Sequence, residues 1–356
     1  MTQTDFFSDM AGTNAVLDFS GGNGRALIIS DLHMGSGRRD DLADNGELLI
    51  SLLEHYYFVQ GWYLVLNGDI EELQRYSLDR IEERWHRLIR VFSLFAGQNR
   101  LYKLVGNHDE ELLLKKNYRF PLYHVIRIDT SVIPAYVYHG HQSSMIYRNY
   151  NKIVGAGIRY VLKPFGIKNI SSGRSPYKRF TVEKAAYDFS LNNHCISIIG
   201  HTHRPLFESL GRFDYIKFEI ERLCRDYTAS GDEARQRIEN EVFTLRRELG
   251  KLKRKERRDV LRQSLYGDDL PVPCLFNSGC AVGKKGLNAI EISSEDIALV
   301  YWYADGHGRK FISRGGFAIE RLAGTKYNRV VLNSGRLDYI LSRIKLLGPG
   351  NEPIAK

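Results

Sequence analysis

Short polar clusters, four of which contain histidine, follow five apolar runs in this chain of 356 residues. Six of the eleven histidines belong to these clusters, together with three aspartates and two asparagines. In chain order the clusters are Asp31-Leu-His33, Asn67-Gly-Asp69, Gly106-Asn107-His108-Asp109, His139-Gly-His141 and Gly200-His201-Thr-His203. Imidazole, carboxylate and amide groups in these numbers suit a divalent transition metal. One such cluster is more often a turn or a helix start, but five in succession indicate a metal centre.

The apolar runs that precede the clusters are predicted β-strands. They lie at 26–30, 63–66, 101–105, 135–138 and 195–199. Residues 45–60 and 79–97, between the first three runs, carry apolar side chains at helical spacing, so we expect βαβ units and a largely parallel inner sheet. Ligand sites assemble at the carboxyl edge of such a sheet. This order therefore predicts that the clusters converge.

The rest of the chain is organised around this predicted core. Residues 1–20 are expected to be an N-terminal tail, and 21–214 the core itself, with a basic helical lid at about 142–193. Residues 215–266 are predicted to form an inserted, charged helical hairpin, while 267–304 supply the remaining core strands and 305–356 a C-terminal strand and helix. Apolar residues in the hairpin recur every three or four positions, which is the spacing of a coiled-coil seam. They are Ile238, Val242, Leu245, Leu249 and Leu252.

The composition limits the class of protein. The chain has 51 Lys and Arg against 42 Asp and Glu, a formal net charge of +9, and 43% hydrophobic residues. These values exclude collagen-like repeats, extended disorder and a disulfide scaffold. The four cysteines form no CxxC pair, which favours a reducing compartment. Because neither a signal-peptide pattern nor an uncharged apolar run of membrane-spanning length occurs, we expect a soluble, cytoplasmic protein.

As a set, the five clusters resemble the signature blocks of the calcineurin-like metallophosphoesterase superfamily. The resemblance covers about residues 26–205 and implies an α/β fold, a four-layer α/β/β/α sandwich that holds two divalent metal ions. By position, it implies one ion held by Asp31, His33, Asp69 and His203, and a second held by Asp69, Asn107, His139 and His201. Manganese is the expected metal, although the ligand set also accepts iron, zinc or cobalt.

The resemblance also implies hydrolysis of a phosphoester by a metal-activated water. Two divalent ions about 3.5–4 Å apart lower the pKa of a shared water and polarise phosphoryl oxygens. His108 would then act as a general acid or transition-state stabiliser, oriented by a carboxylate partner. Asp109, the next residue, is the second candidate catalytic residue.

Two segments are similar to the branch that contains UDP-2,3-diacylglucosamine hydrolases, which cleave a pyrophosphate at the membrane surface. They are SDLHMG at 30–35 and GHTHRP at 200–205. The similarity predicts a nucleotide-sugar lipid as substrate, contacted by His141, Arg204 and the lid residues Arg148 and Lys163. For Arg204, a structural ion pair stays equally open. The chain departs from that branch at His108, where Arg is common, and at His141, where an acidic residue is usual. His141 therefore stays open as a substrate contact, a neighbour of the metal ligands, or a ligand in place of His139.

Other functions stay open at this point. The stretch 246–262 carries nine Lys and Arg against three Asp and Glu, so it could bind an anionic membrane surface or nucleic acid, or only face solvent. The protein could accordingly be peripheral to the inner membrane, or a nuclease or cyclic-nucleotide phosphodiesterase. The apolar seam could also pair two subunits in a homo-oligomer. A non-catalytic, metal-stabilised scaffold is a further alternative.

Overall fold

The computed structural model describes residues 14–37, 40–143, 176–207, 231–256, 272–281, 286–307 and 317–347, with positions 216, 220, 223–224, 227–228 and 312. The described residues form a mixed α/β structure with two β-sheets, which confirms the predicted α/β class. Among the helices in these ranges, none combines the length and the apolar character of a membrane span.

The larger sheet has eight strands and contains the first three predicted strands. Its order is β12-β13-β11-β10-β2-β3-β4-β5. The bounds are β2 Arg25–Ile29, β3 Tyr63–Asn67, β4 Leu101–Leu104, β5 Leu122–Tyr123, β10 Leu287–Ser293, β11 Asp296–Ala304, β12 Ile319–Arg321 and β13 Tyr327–Arg336. Strands β2, β3 and β4 pair in parallel, as predicted, and β5 pairs in parallel with β4. The pairs β2–β10, β10–β11, β11–β13 and β12–β13 are antiparallel.

The smaller sheet has five strands in the order β1-β6-β7-β8-β9. The bounds are β1 Asn14–Asp18, β6 Val125–Asp129, β7 Pro134–Tyr138, β8 Ile196–Ile199 and β9 Leu275–Asn277. All neighbouring pairs are parallel except β6 with β7. Two of the predicted strands, those before His139 and before His201, therefore belong to a different sheet from the other three.

Six α-helices lie in the described residues. They are α1 Gly46–Leu52, α2 Leu78–Arg84, α3 His86–Gly97, α4 Pro176–Asn192, α5 Asp232–Glu256 and α6 Leu337–Leu347. Helix α1 continues as a π-helical stretch over Leu53–Phe58.

Strand β2 shows how the sheets and helices pack. Ala26 and Ile28 lie in a core shared with the smaller sheet, whereas Leu27 and Ile29 lie in a second core with α1 and α3. Both faces of the strand are thus buried, which is why its sequence is continuously apolar rather than alternating. The packing holds the ends of β2, β3 and β4 beside the ends of β7 and β8.

Helix α4 lies against the smaller sheet. Ser190 donates a hydrogen bond to Ser197 at 2.6 Å, and Phe189 packs edge-on against Tyr136. The part of the predicted lid before residue 176 lies outside the described residues.

Helix α5 contains the predicted seam. Ile238, Val242 and Leu249 pack around a small cluster that includes Ile216 and Leu223. These contacts join the helix to the segment that precedes it. Side chains after residue 250 lie outside the described residues, so Leu252 and most of the basic stretch are not placed, and the domain boundaries stay predictions.

Two local features differ from the sequence expectations. Asn14–Asp18, inside the predicted tail, forms β1 and pairs in parallel with β6. The strand buries Leu17 but exposes Val16, so its apolar signal is short. The helix expected over 79–97 is divided at Trp85, whose indole N–H donates to the Gly35 carbonyl at 2.9 Å.

Candidate metal centre

The five polar clusters meet where the parallel strands of the two sheets end. The ligand atoms of Asp31, His33 and His203 all lie within 4.8 Å of one another. Those of Asp69, His139 and His201 form a second group on the same criterion. Six of the seven predicted metal ligands are thus brought together in two groups of three. The seventh, Asn107, follows β4, and the backbone N–H of the next residue, His108, donates to Asp69 Oδ1.

The first group combines a carboxylate with two imidazoles. His203 Nε2 lies 3.2 Å from Asp31 Oδ1 and 3.3 Å from His33 Nε2. The other oxygen of Asp31 accepts hydrogen bonds from the His201 backbone N–H, at 3.0 Å, and from the Ser30 hydroxyl. These bonds fix the Asp31 carboxylate so that Oδ1 faces the imidazoles.

The second group is oriented by a backbone carbonyl. His139 Nδ1 donates to the Asn67 carbonyl oxygen at 2.8 Å. This hydrogen bond selects the tautomer whose Nε2 is available as a ligand. That Nε2 lies 3.1 Å from Asp69 Oδ2.

Asp69 lies between the two groups. Its Oδ1 accepts the His108 backbone N–H at 2.8 Å. Its Oδ2, 3.1 Å from His139 Nε2, is also 4.0 Å from His33 Nε2 in the first group. One buried carboxylate therefore faces imidazoles of both groups.

The unsatisfied buried atoms test whether these residues fit metal ions. Among the described residues, Asn107 Oδ1 is buried with no hydrogen-bond partner. Asp31 Oδ1 and His139 Nε2 are also buried without a well-formed hydrogen bond, although they face the opposite charges of His203 and Asp69. A buried polar atom without a partner is costly, so natural proteins rarely contain one unless a ligand satisfies it. Nitrogen and oxygen donors of this kind match the preferences of manganese, iron, zinc and cobalt. The residues present fit the predicted ions.

The backbone at the site is strained. Seven non-glycine residues have positive φ in the described part of the chain, and five are predicted ligands. These five are Asp31 (54°), His33 (48°), Asp69 (53°), His201 (63°) and His203 (57°). Such conformations persist only where the surroundings enforce them, and they cluster at functional sites.

Gly106 shows why one cluster begins with glycine. A Cβ at this position would lie 2.2 Å from Asp69 Oδ1 and 2.4 Å from the Asp69 backbone nitrogen. Any larger side chain would displace the central carboxylate, so only glycine allows this approach.

Opposite charges set the protonation of the ligands. Burial raises the pKa of Asp31, but the positive charge of His203 outweighs it and lowers this pKa to about 2. Burial lowers the pKa of His203, but Asp31 raises it to about 11. In the same way Asp69 raises the pKa of His139 to about 9. His201 differs, because burial and the charge of His139 lower its pKa to about 3.

Metal binding is therefore expected to release protons at pH 7. His139 and His203 have pKa values above 7 and carry protons, whereas ligation requires neutral imidazole. Loading with Mn²⁺ should release about two protons per chain, and metal affinity should rise between pH 6 and pH 8. Titration calorimetry in buffers of different ionisation enthalpy measures this release. A metal affinity independent of pH over that interval would contradict the expectation.

Glu72, which belongs to none of the five polar clusters, is the carboxylate that orients His108. His108 Nδ1 lies 2.9 Å from Glu72 Oε1, and His33 Nδ1 lies 3.2 Å from Glu72 Oε2. Burial lowers the pKa of His108, but Glu72 and Asp69 outweigh it and raise this pKa above its ordinary value. The one feature of the sequence that could have pointed to Glu72 is its position three residues after Asp69.

Asp109, the other predicted catalytic residue, has a structural place instead. Its Oδ1 accepts the Gly106 backbone N–H at 2.6 Å, and its Oδ2 accepts that of Ile70 at 2.8 Å. Lys103, which is also buried, lies 3.6 Å from Oδ2. Since both oxygens are engaged with these groups, Asp109 ties together the loops that follow β3 and β4.

The predicted substrate contacts fall in three places. His141 is buried, with its ring 5.3 Å from that of His139 and 6.2 Å from that of His201. The guanidinium of Arg204 is partly exposed and forms an ion pair with Glu183 on α4. Arg148 and Lys163 lie outside the described residues.

Comparison with known proteins gives fold-level similarity at low scores. No family model and no curated protein matches the chain. The phosphoesterase Yfce from E. coli is 12% identical and covers 77% of this chain and 91% of its own, with a TM-score of 0.34. Vacuolar protein sorting 29 from Cryptosporidium parvum is 11% identical and covers 81% of this chain and 94% of its own, with a TM-score of 0.35. A single mutant of Vps29 from Entamoeba histolytica is 10% identical and covers 87% of this chain and 99% of its own, with a TM-score of 0.35. With TM-scores this low, the chemistry of the chain has to be inferred from its own side chains.

Proposed function

We propose that this protein is a metal-dependent phosphoesterase with two divalent ions at the joined ends of its sheets. The observation that carries the proposal is the place of Asp69 Oδ2, which faces His139 Nε2 at 3.1 Å and His33 Nε2 at 4.0 Å. A carboxylate shared by two imidazole-containing groups is the arrangement that a pair of cations needs. The four-layer α/β/β/α order belongs to the same proposal, supported by the two cores on either side of β2.

The ligand assignment follows the two groups. Asp31, His33, Asp69 and His203 would hold one ion, and Asp69, Asn107, His139 and His201 the other, with manganese as the first candidate. When bound, the pair supplies Lewis acidity towards a phosphoryl group and lowers the pKa of a nucleophilic water.

His108 is the proton donor in this proposal. Its side chain is 12% exposed, so it can be reached by a substrate, unlike the fully buried His139. Glu72 accepts the Nδ1 hydrogen and so directs Nε2 away from itself and towards the site. Because its pKa is raised, His108 can hold a proton on Nε2 and give it to the departing oxygen.

The substrate we propose is the pyrophosphate of a nucleotide-sugar lipid, such as UDP-2,3-diacylglucosamine. The support is the resemblance of SDLHMG at 30–35 and GHTHRP at 200–205 to that branch. His141, which lies beside the metal ligands, is the described residue that we propose to contact the substrate. Arg148 and Lys163 are further candidates for this contact.

Activity profiling after chelation tests the proposed function. We expect the metal-free chain to be inactive and Mn²⁺ to restore turnover, with the acylated nucleoside-diphosphate sugar hydrolysed faster than its non-acylated form, a phosphomonoester or a simple phosphodiester. Cleavage of oligonucleotides alone, with binding that weakens steeply with salt, would replace this substrate by nucleic acid. A chain that binds two ions but hydrolyses none of these compounds would be a scaffold, and the proposal would be wrong.

A further inference from the structure

A buried polar network outside the predicted ligand set holds the loop that carries His201 and His203. Its centre is Thr202, which is fully buried between the two histidines. Its other members are Glu183 on α4 and Asn277 at the end of β9, both buried as well. Neither takes part in the proposed chemistry, so their burial calls for another explanation.

The backbone N–H and the side-chain hydroxyl of Thr202 are both engaged in hydrogen bonds. Its backbone N–H donates to the Gly200 carbonyl at 2.7 Å. Its hydroxyl donates to Glu183 Oε1 at 2.9 Å and accepts from Asn277 Nδ2, also at 2.9 Å. The same Asn277 nitrogen donates to the Gly200 carbonyl at 2.9 Å. Thr202 is thus fixed from two different elements, α4 and β9.

The buried carboxylate of Glu183 pairs with the guanidinium of Arg204. Arg204 Nε lies 3.3 Å from Glu183 Oε1, and a second guanidinium nitrogen contacts Oε2. The guanidinium itself is partly exposed, so the pair extends from the surface to the hydroxyl of Thr202. A buried carboxylate without such a partner would be strongly unfavourable.

The backbone on both sides of Thr202 needs such support. His201 and His203 have φ values of 63° and 57°, which are unfavourable for residues with a Cβ. Strained conformations of this kind persist only when neighbouring contacts enforce them. His203 faces Asp31 in the first ligand group, whereas His201 belongs to the second.

We propose that Glu183, Thr202 and Asn277 are positioning residues that set both ligand groups at once, through the single loop between His201 and His203. The inference rests on the proposed function for the identity of what the two imidazoles bind. Groups that orient metal ligands commonly contribute 10- to 100-fold to metal affinity. Loss of the Thr202 hydroxyl should therefore weaken the binding of both ions, not of only one.

The test is Mn²⁺ binding to the metal-free full chain, measured by titration calorimetry. We expect Thr202→Val, which keeps the shape and removes the hydroxyl, to weaken both binding events by about 10- to 100-fold. Thr202→Ser restores the hydroxyl and should recover most of the affinity. Thr244→Val, at an exposed hydroxyl on α5 that bonds only the Asn240 carbonyl, is the matched control and should bind like the wild type.

Glu183 gives a second pair of variants if Thr202→Val fails to fold. Glu183→Gln keeps an acceptor for the Thr202 hydroxyl and should retain metal affinity better than Glu183→Leu, which removes it. Wild-type affinity at both sites in a folded Thr202→Val chain would overturn the inference, as would equal affinities for Glu183→Gln and Glu183→Leu. The wild-type titration distinguishes failure of this inference from failure of the proposed function. If the wild type binds two ions, only the inference about Thr202 and Glu183 is overturned by these results; if it binds none, both are overturned.

Discussion

Replacing Asp69 by asparagine is expected to reduce phosphoesterase turnover by roughly 1,000-fold or more, because a dinuclear centre supplies several kcal/mol of transition-state stabilisation. Asparagine nearly keeps the volume of Asp69 and can still accept the His108 backbone N–H. It removes the negative charge that faces His139 and His33, and its neutral amide oxygen is a weaker metal ligand than a carboxylate oxygen. The loss should therefore arise at the metals and not from a changed fold.

Turnover of a chromogenic phosphodiester in saturating Mn²⁺, with metal content measured on the same sample, checks this prediction. The variant should retain fewer than two ions per chain. Asp44→Asn, at an exposed carboxylate, is the control and should behave like the wild type. Full turnover by Asp69→Asn would show that Asp69 does not join two ions.

Replacing His108 by glutamine is expected to lower kcat by roughly 100- to 10,000-fold, the usual contribution of a general acid. Metal content should stay unchanged, because His108 lies outside both ligand groups assigned to the ions. The loss should be larger for substrates with poor leaving groups, which need a proton, than for p-nitrophenyl esters, which do not.

Comparing kcat across a series of aryl phosphodiesters with leaving groups of increasing pKa measures this dependence. His86→Gln, at an exposed histidine on α3, serves as the control. If His108→Gln lowers kcat equally for all leaving groups, His108 does not donate the proton. If the variant loses metal instead, His108 contributes to the ligand arrangement.

The sequence was sufficient to predict the structural features that depend on residues close together along the chain. The apolar runs before Asp31, Asp69 and Asn107 predicted β2, β3 and β4, because a strand buried on both faces must be continuously apolar. The helical spacing between them predicted parallel pairing, since parallel strands need a crossover. Parallel strands end at one edge, so the convergence of the first three clusters also followed from local patterns, whereas the packing of a second sheet brought the clusters at His139 and His201 to them.

Tertiary structure decided which side chains meet within that edge. The carboxylate next to His108 in sequence is that of Asp109, yet it accepts hydrogen bonds from the backbone of Gly106 and Ile70. The carboxylate beside His108 Nδ1 is that of Glu72, from the loop after β3. Residue types left Arg204 open as a substrate contact or a structural ion pair, and the structure pairs it with Glu183, 21 positions earlier. The directions of these side chains are set by backbone torsions and by contacts between distant segments, which residue types and spacing along the chain do not specify.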